Sequence, residues 1–227
     1  MFSRVGKEIM VAAKNGGADP ATNPALRAAL TAAKAVTMPN ANIDRAIKKG
    51  IGELGDVVFE EIMYEGYGAG GVAVIVDCLT DNRNRSASEV RTTLDRNNGN
   101  LASSGSVAYM FKRQSHFVIE GENADEDKLM DIVLDAGAED LIVEDGVAEI
   151  WGDPSAFEAI ADALAAAGIT ASEAAVTRRP DNTVTITDVH TAEQVLKLID
   201  KLEDMDDVQE VTGNFEIDDS IADQVNV

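Results

Sequence analysis

Three cationic side chains on one predicted helix have the chemistry and the spacing to bind phosphate. Arg45, Lys48 and Lys49 occupy positions i, i+3 and i+4, which a helix brings to one face. Ile43 and Ala46 recur at helical spacing beside them and predict a separate, buried face. Neutralisation of phosphates by lysine and arginine dominates the affinity of proteins for nucleic acid. The segment therefore predicts a contact with a phosphate-bearing partner.

The two helices predicted before this segment carry cations as well. Phe2, Val5 and Ile9 repeat at helical spacing in the first helix and indicate a core-facing side. Asn23-Pro24 predicts the start of the second helix, because a capping residue precedes proline at the first helical position. The cations of these two helices are Arg4, Lys7, Lys14, Arg27 and Lys34. We expect the cationic sides of the three packed helices to merge into one patch.

A further cationic segment is the run Asp81-Asn82-Arg83-Asn84-Arg85. It lies between a predicted strand and a predicted helix, where planar guanidinium groups can engage phosphates or base edges. Turn hydrogen bonds from the Asp and Asn side chains, with Arg83 and Arg85 paired to nearby carboxylates, explain the same run equally well. On the first interpretation, these two arginines complete a set of ten predicted nucleic-acid-binding residues.

The glycines at positions 66, 68 and 71 spell G-x-G-x-x-G, the pattern of dinucleotide-binding loops. That fingerprint requires a helix to open at its last glycine, so that the helix N-terminus meets the pyrophosphate. Residues 72–76 are instead rich in β-branched side chains and predict a strand. We therefore expect a strand-turn-strand connection and no nucleotide loop.

Histidine and cysteine offer little to a metal site or a catalytic triad. The two histidines, His116 and His190, fall in different predicted elements and have no ligands nearby at metal-binding spacing. Cys78 ends the most apolar predicted strand, where a small buried hydrophobe is expected. We predict no catalytic residue, no metal and no cofactor, and expect that the protein is not an enzyme.

Charge is distributed unevenly along the chain. The net charge is −22, yet residues 1–50 hold eight Lys and Arg against three Asp and Glu, whereas residues 122–227 hold five against 28. Such asymmetry indicates an anionic partner that touches one end only. Four carboxylates follow the last long predicted helix and are interpreted as a solvated acidic rim, because they lack the spacing of a calcium loop; they are Glu203, Asp204, Asp206 and Asp207.

Periodicity predicts an α+β fold with an N-terminal three-helix domain and two small domains of split-βαβ type. Residues 1–56 form the basic helical domain, residues 57–122 and 181–222 a discontinuous α+β domain, and residues 123–180 an inserted acidic α+β domain. In the middle domain, the pair Ser86 and Glu89 predicts a capping box, and the segments 106–112 and 116–120 predict a hairpin. A second capping box is predicted at 191–194, and a strand at 208–216.

Composition limits the class of protein. The chain has 227 residues, 45% of them hydrophobic and 26% charged, ordinary values for a self-supporting globular protein. A single cysteine suits a reducing compartment. The longest uninterrupted apolar stretches, residues 72–76 among them, have five residues, far fewer than the ~20 residues of a membrane helix, and no secretory leader is recognisable. We expect a cytoplasmic location without membrane contact.

Many spaced segments together are similar to the YebC/PmpR family. They are AAK (12–14), GGADP (16–20), NPALR (23–27), MP (38–39), NI (42–43), RAIKK (45–49), GEL (52–54), YEGYG (64–68), GGVAVIV (70–76), LTDNRNR (79–85), GSVAY (105–109) and DDVQEV (206–211). The family includes bacterial proteins described as transcriptional regulators and the mitochondrial translational activator of cytochrome c oxidase. The resemblance covers essentially the whole chain.

The resemblance implies a cytoplasmic, non-enzymatic protein of three domains, of which the middle one is discontinuous. It implies either binding to DNA upstream of regulated genes or association with the ribosome to assist translation of difficult stretches. The segments 45–49 and 81–85 match the family and are expected near the nucleic acid. Family members usually begin with a further basic stretch that is missing before Met1. A chain without it should bind more weakly and lose roughly one unit of salt slope per missing phosphate contact; alternatively, the start given is not the natural one.

The leading hypothesis is a nucleic-acid-associated regulator of gene expression, a DNA-binding transcriptional regulator whose partner is promoter DNA. A ribosome-associated translation factor that binds ribosomal RNA is the alternative within the same hypothesis, since no recognition helix with a dimer repeat is legible. A second hypothesis is an adaptor whose acidic half docks basic proteins. The oligomeric state stays open between monomer and weak dimer.

Overall fold

The first three helices form a bundle with a core of its own. The structure, a computed structural model, describes residues 2–55 and 58–225 and begins with α1 (Phe2–Gly16), α2 (Pro24–Ala35) and α3 (Asn40–Gly50). The apolar spacing predicted these helices, and Ile9 and Leu26 are fully buried between them. At Gly50, α3 passes so close to α1 that an added Cβ would lie 2.4 Å from the Met10 carbonyl oxygen.

Asn23 ties the end of α1 to the start of α2. Its side chain accepts a hydrogen bond from the Leu26 backbone N–H at 3.0 Å, which confirms the predicted cap. The amide also donates to the carbonyl oxygens of Ala12 and Gly17, at 2.7 and 2.8 Å. With Asn23 only 3% exposed, one side chain closes two helix ends that would otherwise leave buried groups unsatisfied.

The described chain after the bundle contains both strands and helices. In chain order their elements are β1 (Glu60–Tyr67), β2 (Ala73–Thr80), α4 (Arg83–Arg96), β3 (Asn100–Leu101), β4 (Phe111–Glu120), α5 (Glu126–Val133), β5 (Ala138–Glu144), β6 (Val147–Gly152), α6 (Phe157–Ala166), β7 (Glu173–Pro180), β8 (Val184–Ile186), α7 (Val189–Glu203), β9 (Val208–Gly213), β10 (Phe215–Ile217) and α8 (Asp219–Ala222).

The first sheet has the order β3-β1-β2-β9 and is antiparallel throughout. Its last strand comes from the C-terminal part of the chain, and α7 and α4 supply apolar side chains to the core beneath it. Val74, Leu94 and Leu198 are fully buried there. The expected return of the last helix and strand to this sheet is therefore observed. A short parallel pair, β8 with β10, lies beside the same core.

The second sheet has the order β5-β6-β4-β7, also antiparallel. Strand and helix alternate as β4-α5-β5-β6-α6-β7, the split-βαβ arrangement that periodicity predicted. Phe117 and Ile150 face the two helices and are buried with Leu129 and Ile160.

The described chain divides into two compact units. One contains residues up to Ala108 together with those from Thr183 onward; the other is the uninterrupted segment Tyr109–Asn182. The discontinuity was predicted, but residues 109–122 lie in the inserted unit instead of the discontinuous one. The predicted boundary at 56/57 falls outside the described residues, and the helical bundle and the first sheet belong to one unit.

The predicted domain boundary after residue 122 is misplaced because a hairpin was predicted where the structure has one long strand. Residues 106–112 and 116–120 were predicted as two strands, whereas β4 runs unbroken from Phe111 to Glu120. Ser115, expected in the turn, is fully buried and stands opposite Gly152 and Val176 in the neighbouring strands. A polar residue thus occupies a core position of a strand, which local sequence alone did not reveal.

Two predicted helix starts and one predicted strand also need correction. Asn82 caps α4 and Asp188 caps α7, each a few residues before the predicted capping box, and Ser86 is a buried residue inside α4. The predicted strand 208–216 breaks at Asn214 into β9 and β10, which join different sheets. Within the described residues, no helix is both long and apolar enough to span a bilayer.

Candidate nucleic-acid interface

The end of α3 presents three cations, Arg45, Lys48 and Lys49. Arg45 and Lys48 are exposed and Lys49 is half-buried, and none of them forms an ion pair with another residue in 2–55 or 58–225. Ile43 and Ala46 lie on the neighbouring side of the helix and pack in the bundle core. Lys48 and Lys49 stand in the last helical turn, where the helix dipole favours positive charge.

Some of the predicted nucleic-acid-binding residues line two depressions in the surface. Arg45 and Lys49 line a groove of about 390 Å³ between α1 and α3, which we call the α1–α3 groove. Lys49 also borders a cleft of about 910 Å³ whose wall includes Lys7 and Arg85. The expected merging of cations from different helices therefore occurs for part of the set.

Lys7 and Arg85 are engaged by one buried carboxylate, that of Asp207. Lys7 Nζ donates to Asp207 Oδ1 and to the backbone carbonyls of Leu79 and Asp206, at 3.2 and 2.8 Å. Arg85 Nη2 donates to the two Asp207 oxygens at 3.1 and 2.8 Å, and to Asp81 at 2.9 Å. This cluster gives the two cations an intramolecular partner; for Arg85 it matches the second interpretation of the 81–85 run, pairing with carboxylates, and for Lys7 it replaces the free cation that was predicted.

Two hydroxyl groups complete the surroundings of Asp207. Ser86 Oγ and Thr80 Oγ1 donate to its Oδ2 at 2.6 and 2.9 Å. Burial would raise the pKa of Asp207, but the hydrogen bonds from Lys7, Ser86, Arg85 and Thr80 outweigh it and hold the pKa well below its usual range. Hydrogen bonds to Asp207 and Asp81 raise the pKa of the Arg85 guanidinium in turn. Both shifts in pKa favour the charged forms, so Asp207 is a carboxylate and Arg85 a cation at physiological pH.

The predicted acidic rim is thus wrong for Asp207, which is 2% exposed, while Asp204 and Asp206 are exposed as expected. Sequence reasoning missed Asp207 as the centre of a cluster because its partners lie far away in the chain. The available signal was the family-matching segment 206–211, which places this carboxylate directly before a β-branched strand.

The other predicted cations lie apart from the α1–α3 groove and from the cleft. Arg4 is exposed and 4.0 Å from Glu8, and Lys14 is exposed near the end of α1. Arg27 donates to the carbonyl oxygens of residues 20 and 21, at 2.9 and 3.3 Å. Lys34 and Arg83 are exposed on α2 and α4.

Glu65 was not singled out from the sequence, yet it connects two family-matching segments. Its buried carboxylate accepts hydrogen bonds from the backbone N–H groups of Gly105, Val107 and Ala108 at 2.6, 2.7 and 2.8 Å. Burial would raise its pKa, but these backbone donors lower it. The carboxylate thereby holds the 105–108 turn against β1, so the role of Glu65 is structural.

The remaining motifs have structural explanations. The glycine cluster forms the strand-turn-strand connection that was expected, with Tyr67 of β1 opposite Ala73 of β2. Cys78 is 2% exposed, and burial raises the pKa of its thiol to about 12. His116 lies in β4, stacked on Trp151 at 3.8 Å between ring centroids. No group of three or more potential metal ligands occurs in the part of the chain that the structure describes.

Two family models match this chain. The TACO1/YebC protein N-terminal domain matches residues 1–53, and the TACO1/YebC second and third domain matches residues 59–215. The chain belongs to the TACO1/YebC family. A member from Halothermothrix orenii is 49% identical over 227 residues, covering 99% of this chain and 90% of the relative. One from Treponema denticola is 51% identical over 217 residues, covering 96% and 87%. Both are named "Probable transcriptional regulatory protein".

A solved TACO1/YebC-like structure confirms the architecture. The crystal structure of a conserved hypothetical protein from Aquifex aeolicus superimposes with a TM-score of 0.83 at 43% sequence identity. The match covers 97% of this chain and 91% of the other. The family resemblance and the α+β fold class predicted from the sequence are therefore both confirmed.

Proposed function

We propose that this TACO1/YebC family member is a nucleic-acid-binding regulator of gene expression, and that promoter DNA is its partner. One observation carries the proposal: Arg45, Lys48 and Lys49 form a cationic face at the end of α3 without ion pairs among the described residues. Cations on a helix that no carboxylate of the described residues neutralises are available to phosphate. The names of the relatives, as transcriptional regulatory proteins, support the same reading.

The charge of the rest of the chain orients such a complex. Tyr109–Asn182 contains five Lys and Arg against 17 Asp and Glu, so this unit repels a phosphate polymer. The helical bundle has the opposite balance. A nucleic acid is therefore directed to the bundle, and the overall negative charge does not prevent binding there.

The proposal assigns no reaction to the protein. Its one cysteine is buried, and its structural polar clusters at Asp207 and Glu65 are saturated with hydrogen bonds. We place its action in the cytoplasm, a reducing compartment that suits a chain with a single cysteine.

Charge reversal on α3 tests the proposal. The double variant Lys48→Glu/Lys49→Glu should lower the affinity for a promoter fragment at least tenfold and reduce the slope of log K against log salt by about two, one unit for each lost phosphate contact. Fluorescence anisotropy at several salt concentrations measures both quantities. Lys128→Glu, an exposed cation on α5 of the acidic unit, is the matched control and should leave both unchanged.

Three results would redirect the proposal. Co-sedimentation with ribosomes, without protection of promoter DNA in footprinting, would make ribosomal RNA the partner. Unchanged regulation in cells that carry the double variant would favour an adaptor that docks basic proteins. Failure to bind either nucleic acid at low salt would show that the proposal is wrong.

A further inference from the structure

The α1–α3 groove has an apolar floor that phosphate neutralisation does not require. Phe2, Met10, Met38 and Ala46 line it, and the cations Arg45 and Lys49 stand among its lining residues. Its volume of about 390 Å³ lies within the range of sites for small organic groups. An apolar cavity bordered by two cations that have no ion pair among the described residues is suited to a ligand that carries both a flat apolar part and a negative charge.

Phe2 is the aromatic member of this floor. The sequence pattern predicts it in the bundle core with Val5 and Ile9, but it is 45% exposed, whereas Met38, another lining residue of the groove, is 7% exposed. An exposed aromatic ring can stack on another ring. The ring of Phe2 is therefore available for stacking at the edge of the groove.

Gly6 keeps the groove open from the α1 side. It lies in the interior of a helix, where glycine is less stable than alanine, and a Cβ added there would meet no atom within 4 Å. Packing therefore does not explain this glycine. A larger side chain at this position would project into the space of the groove without displacing the backbone.

We propose that the α1–α3 groove takes an unstacked nucleobase of a single-stranded or looped nucleic acid, with Phe2 beneath the base and Arg45 and Lys49 at its phosphates. Only unpaired nucleotides present the face of the base; in a duplex the faces are hidden, so a duplex uses the cations alone. Charge complementarity selects this occupant over a neutral apolar ligand. The inference rests on the proposed function and adds that the interface distinguishes unpaired from paired strands, as in melted promoter DNA or RNA loops.

Paired measurements on the full chain test this inference. The probes are a fluorescently labelled 12-nucleotide single strand and the duplex of the same sequence, titrated with wild type, Phe2→Ala, Gly6→Leu and Gly6→Ala. Stacking of one base corresponds to about tenfold in affinity, so the wild type should bind the single strand about tenfold better than the duplex. Phe2→Ala and Gly6→Leu should lose this preference and keep the duplex affinity. Gly6→Ala, which adds only a methyl group, should behave as wild type.

The outcomes separate this inference from the proposed function. Binding of the duplex with no preference for the single strand, or a preference that survives both Phe2→Ala and Gly6→Leu, would overturn the groove assignment alone. Absence of binding to both probes would overturn the proposed function as well. Displacement of the single strand by an acidic, aromatic-rich peptide in a wild type that shows no strand preference would assign the groove to a peptide instead. Circular dichroism of each variant confirms that the bundle is folded.

Discussion

Single side chains decide how much of the cationic surface is available to a partner. Asp207 binds Lys7 and Arg85, while no carboxylate of the described chain binds Arg45, Lys48 or Lys49. In the sequence, Lys7 and Arg85 look like the three cations of α3, because all five are basic residues in predicted helical segments. The i, i+3, i+4 arrangement on α3 is local and could be predicted. The pairing of Lys7 with Asp207 joins residues 200 positions apart, and no local pattern encodes it.

Replacement of Asp207 tests the importance of its cluster. In Asp207→Asn, the charge of Lys7, whose side chain is 12% exposed, loses its counter-ion, and we expect a loss of roughly 3 kcal/mol in the free energy of unfolding at pH 7. Urea denaturation measures the change. Asp206→Asn removes an exposed carboxylate next in the chain and should alter stability by less than about 0.5 kcal/mol.

The pH dependence gives an independent readout of the same carboxylate. The pKa of Asp207 is depressed in the folded protein, so its stabilising contribution is complete above the unfolded pKa of about 3.9 and disappears as the pH falls through the folded pKa. The difference in stability between wild type and Asp207→Asn should therefore narrow when the pH drops below about 4. A difference that stays constant down to pH 2 would contradict the assignment.

At the scale of elements, the closeness of helix packing sets which positions of the bundle tolerate change. Gly6 of α1 and Gly50 of α3 are both helical glycines, but only Gly50 has neighbours where a side chain would begin, namely the Met10 carbonyl and the Ala13 Cβ. Gly50 thus allows α1 and α3 to approach closely, whereas Gly6 lies where the groove between them is open.

The two glycines give opposite predictions for the same substitution. Gly6→Ala should stabilise the protein by about 0.5–1 kcal/mol, since alanine favours the helix and fits freely. Gly50→Ala should destabilise it by about 1–3 kcal/mol, because the methyl group forces the helices apart. Thermal unfolding followed by circular dichroism measures both. Equal effects of the same sign would contradict the packing described at Gly50.

Elements were predictable from the sequence where local periodicity decides the structure, and they were misplaced where distant contacts decide it. The three N-terminal helices and the antiparallel pair β1–β2 follow directly from apolar spacing. Ser86 resembled a helix cap, but it is a buried donor to Asp207, and Asn82 caps the helix. Ser115 resembled a turn residue and is buried in a strand. The cationic face of α3 follows from local spacing and stays a predicted interface, whereas the apolar floor of the groove was not predicted, because the pattern places Phe2 in the core.

At the scale of the whole molecule, the inserted unit has everything that independent folding needs. Tyr109–Asn182 is continuous, has its own sheet with two covering helices and a buried core. Its ends are adjacent, since the Asp181 N–H donates to the Met110 carbonyl at 2.8 Å. We expect the isolated fragment 109–182 to unfold cooperatively with urea and to bind no nucleic acid.

The matched control for that fragment is residues 58–108. It contains β1, β2, α4 and β3 but lacks the pairing strand β9 and the covering helix α7, so it should remain without stable tertiary structure. Sharp near-ultraviolet dichroism and dispersed amide resonances distinguish the two behaviours. A folded 58–108 fragment, or an unfolded 109–182 fragment, would contradict the division into units.

The pairing of β2 with β9 also dictates the order in which a growing chain can fold. β2 ends at Thr80 and β9 begins at Val208, so at ~5–20 residues per second the ribosome needs roughly 6–25 s to deliver the neighbouring strand. During that interval the interposed acidic unit is synthesised in full and can mature first. Until β9 is synthesised, the apolar strand β2 has one unpaired edge. Exposed strand edges of this kind promote aggregation, from which chaperones protect a growing chain.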